Sequence, residues 1–199
     1  MTQLRIGLLG GSFNPPHAGH RHISIAILKQ LQLDQLWWLV SPKNPLKSAT
    51  NLLPLAKRLA LSKKLTRHPF IRVIDLEKYL PTNYTVDTVQ FLQKHYPHYQ
   101  FFWIMGADNL VSFHRWKHWK TLFYLLPLIV YDRNNDRYRA LASKAAQCFK
   151  KFQKPYRQLQ HFPSLPVWSF MTGRLHTLSS TALRKSQLNH SGFNSSLRE

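Results

Sequence analysis

Leu4-Arg5-Ile6-Gly7-Leu8-Leu9-Gly10-Gly11-Ser12-Phe13-Asn14-Pro15-Pro16-His17-Ala18-Gly19-His20 decides how the rest of this chain is read. Leu4 to Leu9 is a short apolar run bounded by glycine, the pattern of a buried strand. Beyond it, Gly10 and Gly11 let backbone approach a ligand closely, and Pro15 and Pro16 stiffen the turn. A helix beginning near His17 then presents unpaired N–H groups and the positive end of its dipole, which together make an anion site. His17 and His20 lie three residues apart, so they share a face of the first turn and can offer two imidazole donors to phosphate oxygens. The turn has neither the Gly-x-x-x-x-Gly-Lys-[Ser/Thr] nor the Gly-x-Gly-x-x-Gly pattern, so it supports neither a P-loop enzyme nor a dehydrogenase. No carboxylate or third histidine sits nearby at ligand spacing, which leaves no metal-ligating residue to name.

Working outward, further strand candidates are Leu36 to Val40, Ile71 to Ile74, Phe101 to Met105, Leu128 to Tyr131 and Val167 to Phe170. Between the first two strands Ile23, Ala26, Ile27 and Leu31 recur at the spacing of one helical face, and Leu55, Leu59 and Leu65 form a less regular stripe. Strands alternating with helices predict an α/β fold, a Rossmann-like parallel sheet with helices on both faces. Such a sheet binds ligands beyond the carboxyl ends of its strands, here the loops after Leu9, Val40, Met105 and Phe170.

The chain of 199 residues is expected to form a single domain with a frayed tail over 189–199. Its 28 Lys and Arg against 8 Asp and Glu leave a net charge of +20, which favours anionic partners. The excess is even, 13 basic and 4 acidic residues over 1–100 against 15 and 4 over 101–199, which argues against a basic nucleic-acid-binding protein. Arg137 to Arg157 holds seven basic residues and no acid, the pattern of a solvated helix face. One cysteine, Cys148, excludes an intrachain disulfide and suits a cytoplasmic protein. No apolar run reaches the roughly 18 residues that span a bilayer, and the amino terminus lacks a signal-peptide pattern.

A second constellation, Leu178-Ser179-Ser180-Thr181-Ala182-Leu183-Arg184, offers a serine cap, another helix start and a guanidinium one turn on, a second phosphate clamp. The His-x-Gly-His turn together with the distal Ser-Ser-Thr-x-x-Arg resembles the HIGH-type nucleotidyltransferase superfamily, and more closely its bacterial nicotinate-nucleotide adenylyltransferase family. Asn83-Tyr84-Thr85-Val86-Asp87-Thr88 resembles that family's Tyr-Thr-x-x-Thr segment, and Phe102 to Leu110 its Gly-x-Asp motif. Trp116-Lys117 with Trp119 resembles its tryptophan-bearing loop, and Ser41 to Lys47 its segment after the second strand. The resemblance spans roughly residues 4 to 185. It departs at Asn14, where aspartate is frequent, at Leu46, where proline and histidine are common, and at Leu183, where isoleucine is usual.

The resemblance implies a nucleotidyltransferase fold and transfer of an adenylyl group from ATP to nicotinate mononucleotide, forming the deamido dinucleotide and pyrophosphate. It makes His17, His20 and Arg184 catalytic. It places Gly10, Gly11, Ser12, Phe13, Lys47, Gly106, Asp108, Arg133, Ser180 and Thr181 on ATP, with Asp108 at the ribose. Asn14, Thr85, Trp116 and Lys117 fall to the mononucleotide, Trp116 as a stacking surface and the backbone near Thr85 and Lys117 as receiver of the nicotinate carboxylate. Mg2+ would be held mainly by ATP phosphates and water. Trp119 is expected in the core, and His22, His114 and His118 have no comparable role. Phosphopantetheine adenylyltransferase shares the histidine turn and the Ser-Ser-Thr segment, and is the alternative within the superfamily.

Overall fold

The computed structural model describes residues 3–42, 52–76, 80, 82, 84–132, 136–161 and 164–173. The six apolar runs all become strands: β1 (Leu4–Gly11), β2 (Gln35–Val40), β3 (Ile71–Ile74), β4 (Tyr99–Gly106), β5 (Leu128–Asp132) and β6 (Trp168–Thr172). They form one parallel sheet of order β3-β2-β1-β4-β5-β6. Successive side chains of a strand point to opposite faces, so Trp37 packs with Ile6, Leu8, Phe101 and Trp103 while its neighbour Trp38 packs with Leu9, Phe102 and Ile104. The helices α1 (Ala18–Gln30) and α2 (Leu55–Thr66) cover the Trp38 face. The Trp37 face is covered by α3 (Thr85–His95), α4 (Ala107–Ser112), α5 (Trp119–Leu125), α6 (Arg137–Leu141) and α7 (Lys144–Cys148). Burial on both sides is why Leu36–Val40, Phe101–Met105 and Leu128–Tyr131 read as continuously apolar, whereas edge strand β3 exposes Arg72.

Three expectations change in the structure. First, Gly10 and Gly11 belong to β1 rather than to the turn, because the ladder continues through Gly10↔Leu39 and Gly11↔Val40. A Cβ on Gly10 would lie 2.5 Å from the Trp103 ring, so this glycine makes room for an indole of the neighbouring strand. Second, Leu55, Leu59 and Leu65 pack against the core only half-buried, and the buried positions of α2 are Arg58, Ser62 and Thr66. Two members of this polar stripe at four-residue spacing find backbone partners, Arg58 among carbonyls and Thr66 Oγ1 on the Ser62 carbonyl at 3.0 Å, whereas the small Ser62 hydroxyl is buried without one. Third, Arg137 to Arg157 is not one helix. It breaks into α6, α7 and 3-10 turns at Lys150–Phe152 and Tyr156–Gln160, with Ser143 capping α7 through the Ala146 N–H and Pro155 opening the last turn. Its seven basic side chains are nevertheless exposed, as expected.

Strand order positions the site. From β1 the chain proceeds outward to β2 and β3, then returns to place β4 on the other side of β1. The reversal opens a crevice at the carboxyl ends of β1 and β4, the switch point at which open α/β sheets bind ligands. Leu9 pairs with Ile104, so the turn after β1 and the helix after β4 leave the sheet side by side. Among the described residues no helix is long and apolar enough to cross a membrane. The expected tail over 189–199 lies outside the described residues.

Candidate active site

Helix α1 starts where the sequence places it, with His17 as N-cap in an extended conformation and the first helical residue at Ala18. His17 is 3% exposed, and its ring centroid lies 3.8 Å from that of His20, so the two imidazoles share one face. The His17 backbone N–H donates to His20 Nδ1 at 3.2 Å. A nitrogen that accepts carries no proton, so the neutral His20 ring holds its hydrogen on Nε2.

Buried groups behind the histidines hold them in place. Trp38 Nε1 donates to Ser24 Oγ at 2.8 Å, and the Ser24 hydroxyl donates to the His20 carbonyl at 2.8 Å. The Phe13 ring stacks on Trp38 with centroids 4.7 Å apart and contacts the His20 ring at 4.8 Å. Phe13 itself has φ 45°, a left-handed conformation uncommon for a bulky residue and found most often where a binding loop is over-determined by its surroundings.

Beneath the turn lies Arg58, 1% exposed. Its Nη1 donates to the carbonyls of Ser12 and Ser41, each at 2.7 Å, its Nη2 to Pro42 at 3.0 Å and its Nε to Leu53 at 2.8 Å. Burial lowers its pKa from the ordinary value, yet arginine starts so high that it keeps its charge. Asn14, also buried, accepts the Leu53 N–H on Oδ1 at 3.1 Å. At least one lone pair of the side chain expected to meet the mononucleotide is therefore committed to the scaffold.

On the β4 side Gly106 caps α4 and Asp108 stands exposed in its first turn. The pyridine-side candidates also meet. Thr85 opens α3, and Lys117 Nζ lies 4.2 Å from the centroid of the Tyr84 ring, bringing the Trp116-Lys117 loop to the start of that helix. Thr82 orders the entrance, its hydroxyl accepting from the Tyr84 N–H at 3.2 Å and donating to Asp87 Oδ2 at 2.7 Å. Trp116 is half-buried, tilted on Phe113 and edge-on to Trp103 at 6.2 Å. Trp119 packs among Phe113, Phe123 and Phe149, the core role expected of it.

Lys47, Arg133, Ser180, Thr181 and Arg184 lie outside the described residues. Conversely, Arg58, Ser24, Trp38 and Trp103 are supporting residues that the motifs do not announce. The sequence does not single Arg58 out, because α2 also carries Lys57, Lys63 and Lys64.

The cytidylyltransferase-like family model matches residues 8–186, from β1 through the distal Ser-Ser-Thr segment. A protein of Bradyrhizobium sp. (strain BTAi1) named "Probable nicotinate-nucleotide adenylyltransferase" is 45% identical over 183 residues, covering 91% of this chain and 95% of the relative. A Brucella abortus (strain 2308) protein of the same name is 42% identical over 187 residues, 93% of this chain and 96% of the relative. Among solved structures, Plasmodium falciparum nicotinic acid mononucleotide adenylyltransferase complexed with NaAD superposes with a TM-score of 0.65 at 19% identity, covering 92% of this chain and 83% of that one, which establishes the shared fold. With the histidine pair at the switch point of such a sheet and relatives matched nearly end to end, this chain belongs to the cytidylyltransferase-like family and, within it, to the nicotinate-nucleotide adenylyltransferases.

Proposed function

We propose that the chain acts as one nucleotidyltransferase domain that joins ATP to nicotinate mononucleotide, forming the deamido dinucleotide and releasing pyrophosphate. The observation that carries this is the pairing of His17 and His20 at the start of α1, at the β1/β4 crevice, in a chain 45% identical to a nicotinate-nucleotide adenylyltransferase. A phosphate oxygen of the mononucleotide attacks the α-phosphorus of ATP. One P–O bond forms as the bond from that phosphorus to the β-phosphate oxygen breaks, and the electron pair leaves with pyrophosphate. No enzyme nucleophile is involved.

Catalysis of such a step consists of holding two anions in line and stabilising charge as it develops. The proton on His20 Nε2, the His17 imidazole and the amino end of α1 supply donors that need no reorganisation when the reaction occurs, because Trp38, Ser24 and Arg58 already fix the backbone carrying them. Asp108 serves the ribose, and Lys47, Arg133, Ser180, Thr181 and Arg184 complete the phosphate-binding set. Trp116 stacks on the pyridine ring, and the start of α3 with Lys117 receives its carboxylate. Among the described residues no three His, Cys, Asp or Glu come together to hold a metal. Imidazoles, an amide and backbone amides suit a Mg2+ that arrives with the nucleotide and is coordinated by phosphates and water; the ion would neutralise charge on the triphosphate.

A pyrophosphate-release assay with ATP and three separate acceptors tests this. Nicotinate mononucleotide is expected to be turned over fastest. Faster turnover of nicotinamide mononucleotide or of phosphopantetheine would replace the substrate assignment.

A further inference from the structure

We propose that Arg58 is a positioning residue for the ATP-binding turn, holding the Ser12–Phe13 peptide so that its N–H faces away from α2 as a phosphate donor. Three separate segments converge on this one guanidinium: the turn after β1 through Ser12, the end of β2 through Ser41 and Pro42, and the approach to α2 through Leu53. Its partners are four backbone carbonyls, and residues 41–54 contain no Asp or Glu. A buried cation satisfied by carbonyl dipoles keeps its field, so positive charge lies directly under the anion site.

The geometry of the peptide unit gives the tie its consequence. A trans peptide is planar, with its C=O and N–H pointing in opposite directions. The Ser12 carbonyl points at Arg58 Nη1, so the N–H of the same peptide, which belongs to Phe13, points away from it. Phe13 is the residue at φ 45°, a conformation that persists only where neighbours enforce it. Arg58 enforces it from one side and the Trp38 ring from the other. Leu53 is gripped at both backbone groups, its carbonyl by Arg58 Nε and its N–H by Asn14 Oδ1, which stops the guanidinium from following the turn if the turn shifts. Lysine would keep the charge and lose the planar fork that reaches three segments at once. Methionine would keep much of the volume and lose both.

The inference rests on the adenylyl-transfer reading for its choice of ligand, and the experiment separates the two. Binding of Mg-ATP without acceptor is measured by calorimetry for the wild type, Arg58→Lys and Arg58→Met, alongside steady-state kinetics with both substrates and circular dichroism. We expect both variants to fold, the ATP dissociation constant to rise fivefold or more in each, and KM for nicotinate mononucleotide to stay within threefold. A rise below fivefold in both variants would overturn the proposal, as would an equal rise for both substrates, which marks general loosening. Failure of both variants to fold would make Arg58 a folding residue and overturn it too. Wild-type protein that binds ATP but does not use nicotinate mononucleotide would sink the substrate assignment while leaving the Arg58 comparison readable.

Discussion

The two sides of the crevice are built differently. The turn from Ser12 to His20 is held from behind by buried, directional contacts: the Trp38–Ser24–His20 hydrogen bonds, the Arg58 fork and the stacked Phe13 ring. The pyridine side is assembled from two distant loops joined by the Lys117–Tyr84 contact, with Tyr84 and Lys117 exposed and Trp116 half-buried. The difference follows the ligand groups each side is proposed to meet. Phosphates are the same in every nucleotide and carry developing charge, so their donors gain from rigidity. An aromatic ring is recognised by area and stacking, which a more exposed indole supplies without a locked backbone.

The contrast can be broken by mutation. The largest effect is expected from His20→Ala, which removes one preorganised donor and should lower kcat on the order of a hundredfold or more, read in the pyrophosphate-release assay. Near-normal turnover would take His20 out of the chemistry and erase the contrast at its strongest point. Next is Gly10→Ala, whose Cβ would lie 2.5 Å from the Trp103 ring. Overpacking of this kind costs about 1–3 kcal/mol, and urea denaturation should show it as a lower midpoint. An unchanged midpoint would mean that the sheet beside the turn yields more easily than its packing implies.

Trp116→Ala tests the other side. Loss of one aromatic stack, worth about 0.5–1.5 kcal/mol, should raise KM for the mononucleotide up to about tenfold while KM for ATP stays nearly constant. Equal effects on both substrates would make Trp116 a packing residue tied to Trp103 and Phe113. The smallest effect concerns Tyr131, buried at the end of β5, where burial raises the phenol pKa above its usual 10.0. Below pH 10 the phenol is neutral folded or unfolded and has no bearing on pH dependence. Above that value the unfolded chain ionises first, so stability falls as pH rises through the folded-state pKa. Tyr131→Phe should flatten that alkaline slope in denaturation curves and leave its neutral-pH part unchanged in shape; an unaltered slope above pH 10 would show that other groups set it.

The contiguous features were legible in the primary structure. Leu36–Val40, Phe101–Met105 and Leu128–Tyr131 were visible because two-sided burial makes each an uninterrupted apolar run. The other three strands were visible as short apolar clusters despite Arg5, Arg72 and Ser169, and β1 was cut short only because Gly10 and Gly11 resemble turn residues until the pairing with Leu39 and Val40 is seen. The histidine pair was legible because its members are neighbours on one helical turn. Arg58 was not, since a cation in a helix normally marks a solvated face, and nothing local signals that Ser12, Ser41, Pro42 and Leu53 will aim their carbonyls at it. The basic run from Arg137 to Arg157 was legible as exposed but not as broken, because the Ser143 cap and the turn at Pro155 act one residue at a time.

By itself the order of residues determined the parallel α/β architecture, the anion-binding turn and the family, because periodicity, glycine, proline and the His-x-x-His spacing act over a few neighbouring positions. Only the tertiary structure decided which residues brace that turn, that Asn14 is bonded to Leu53, and that Lys117 comes to rest on Tyr84. Those depend on strand order and on the reversal between β1 and β4, which bring together segments that local sequence cannot place.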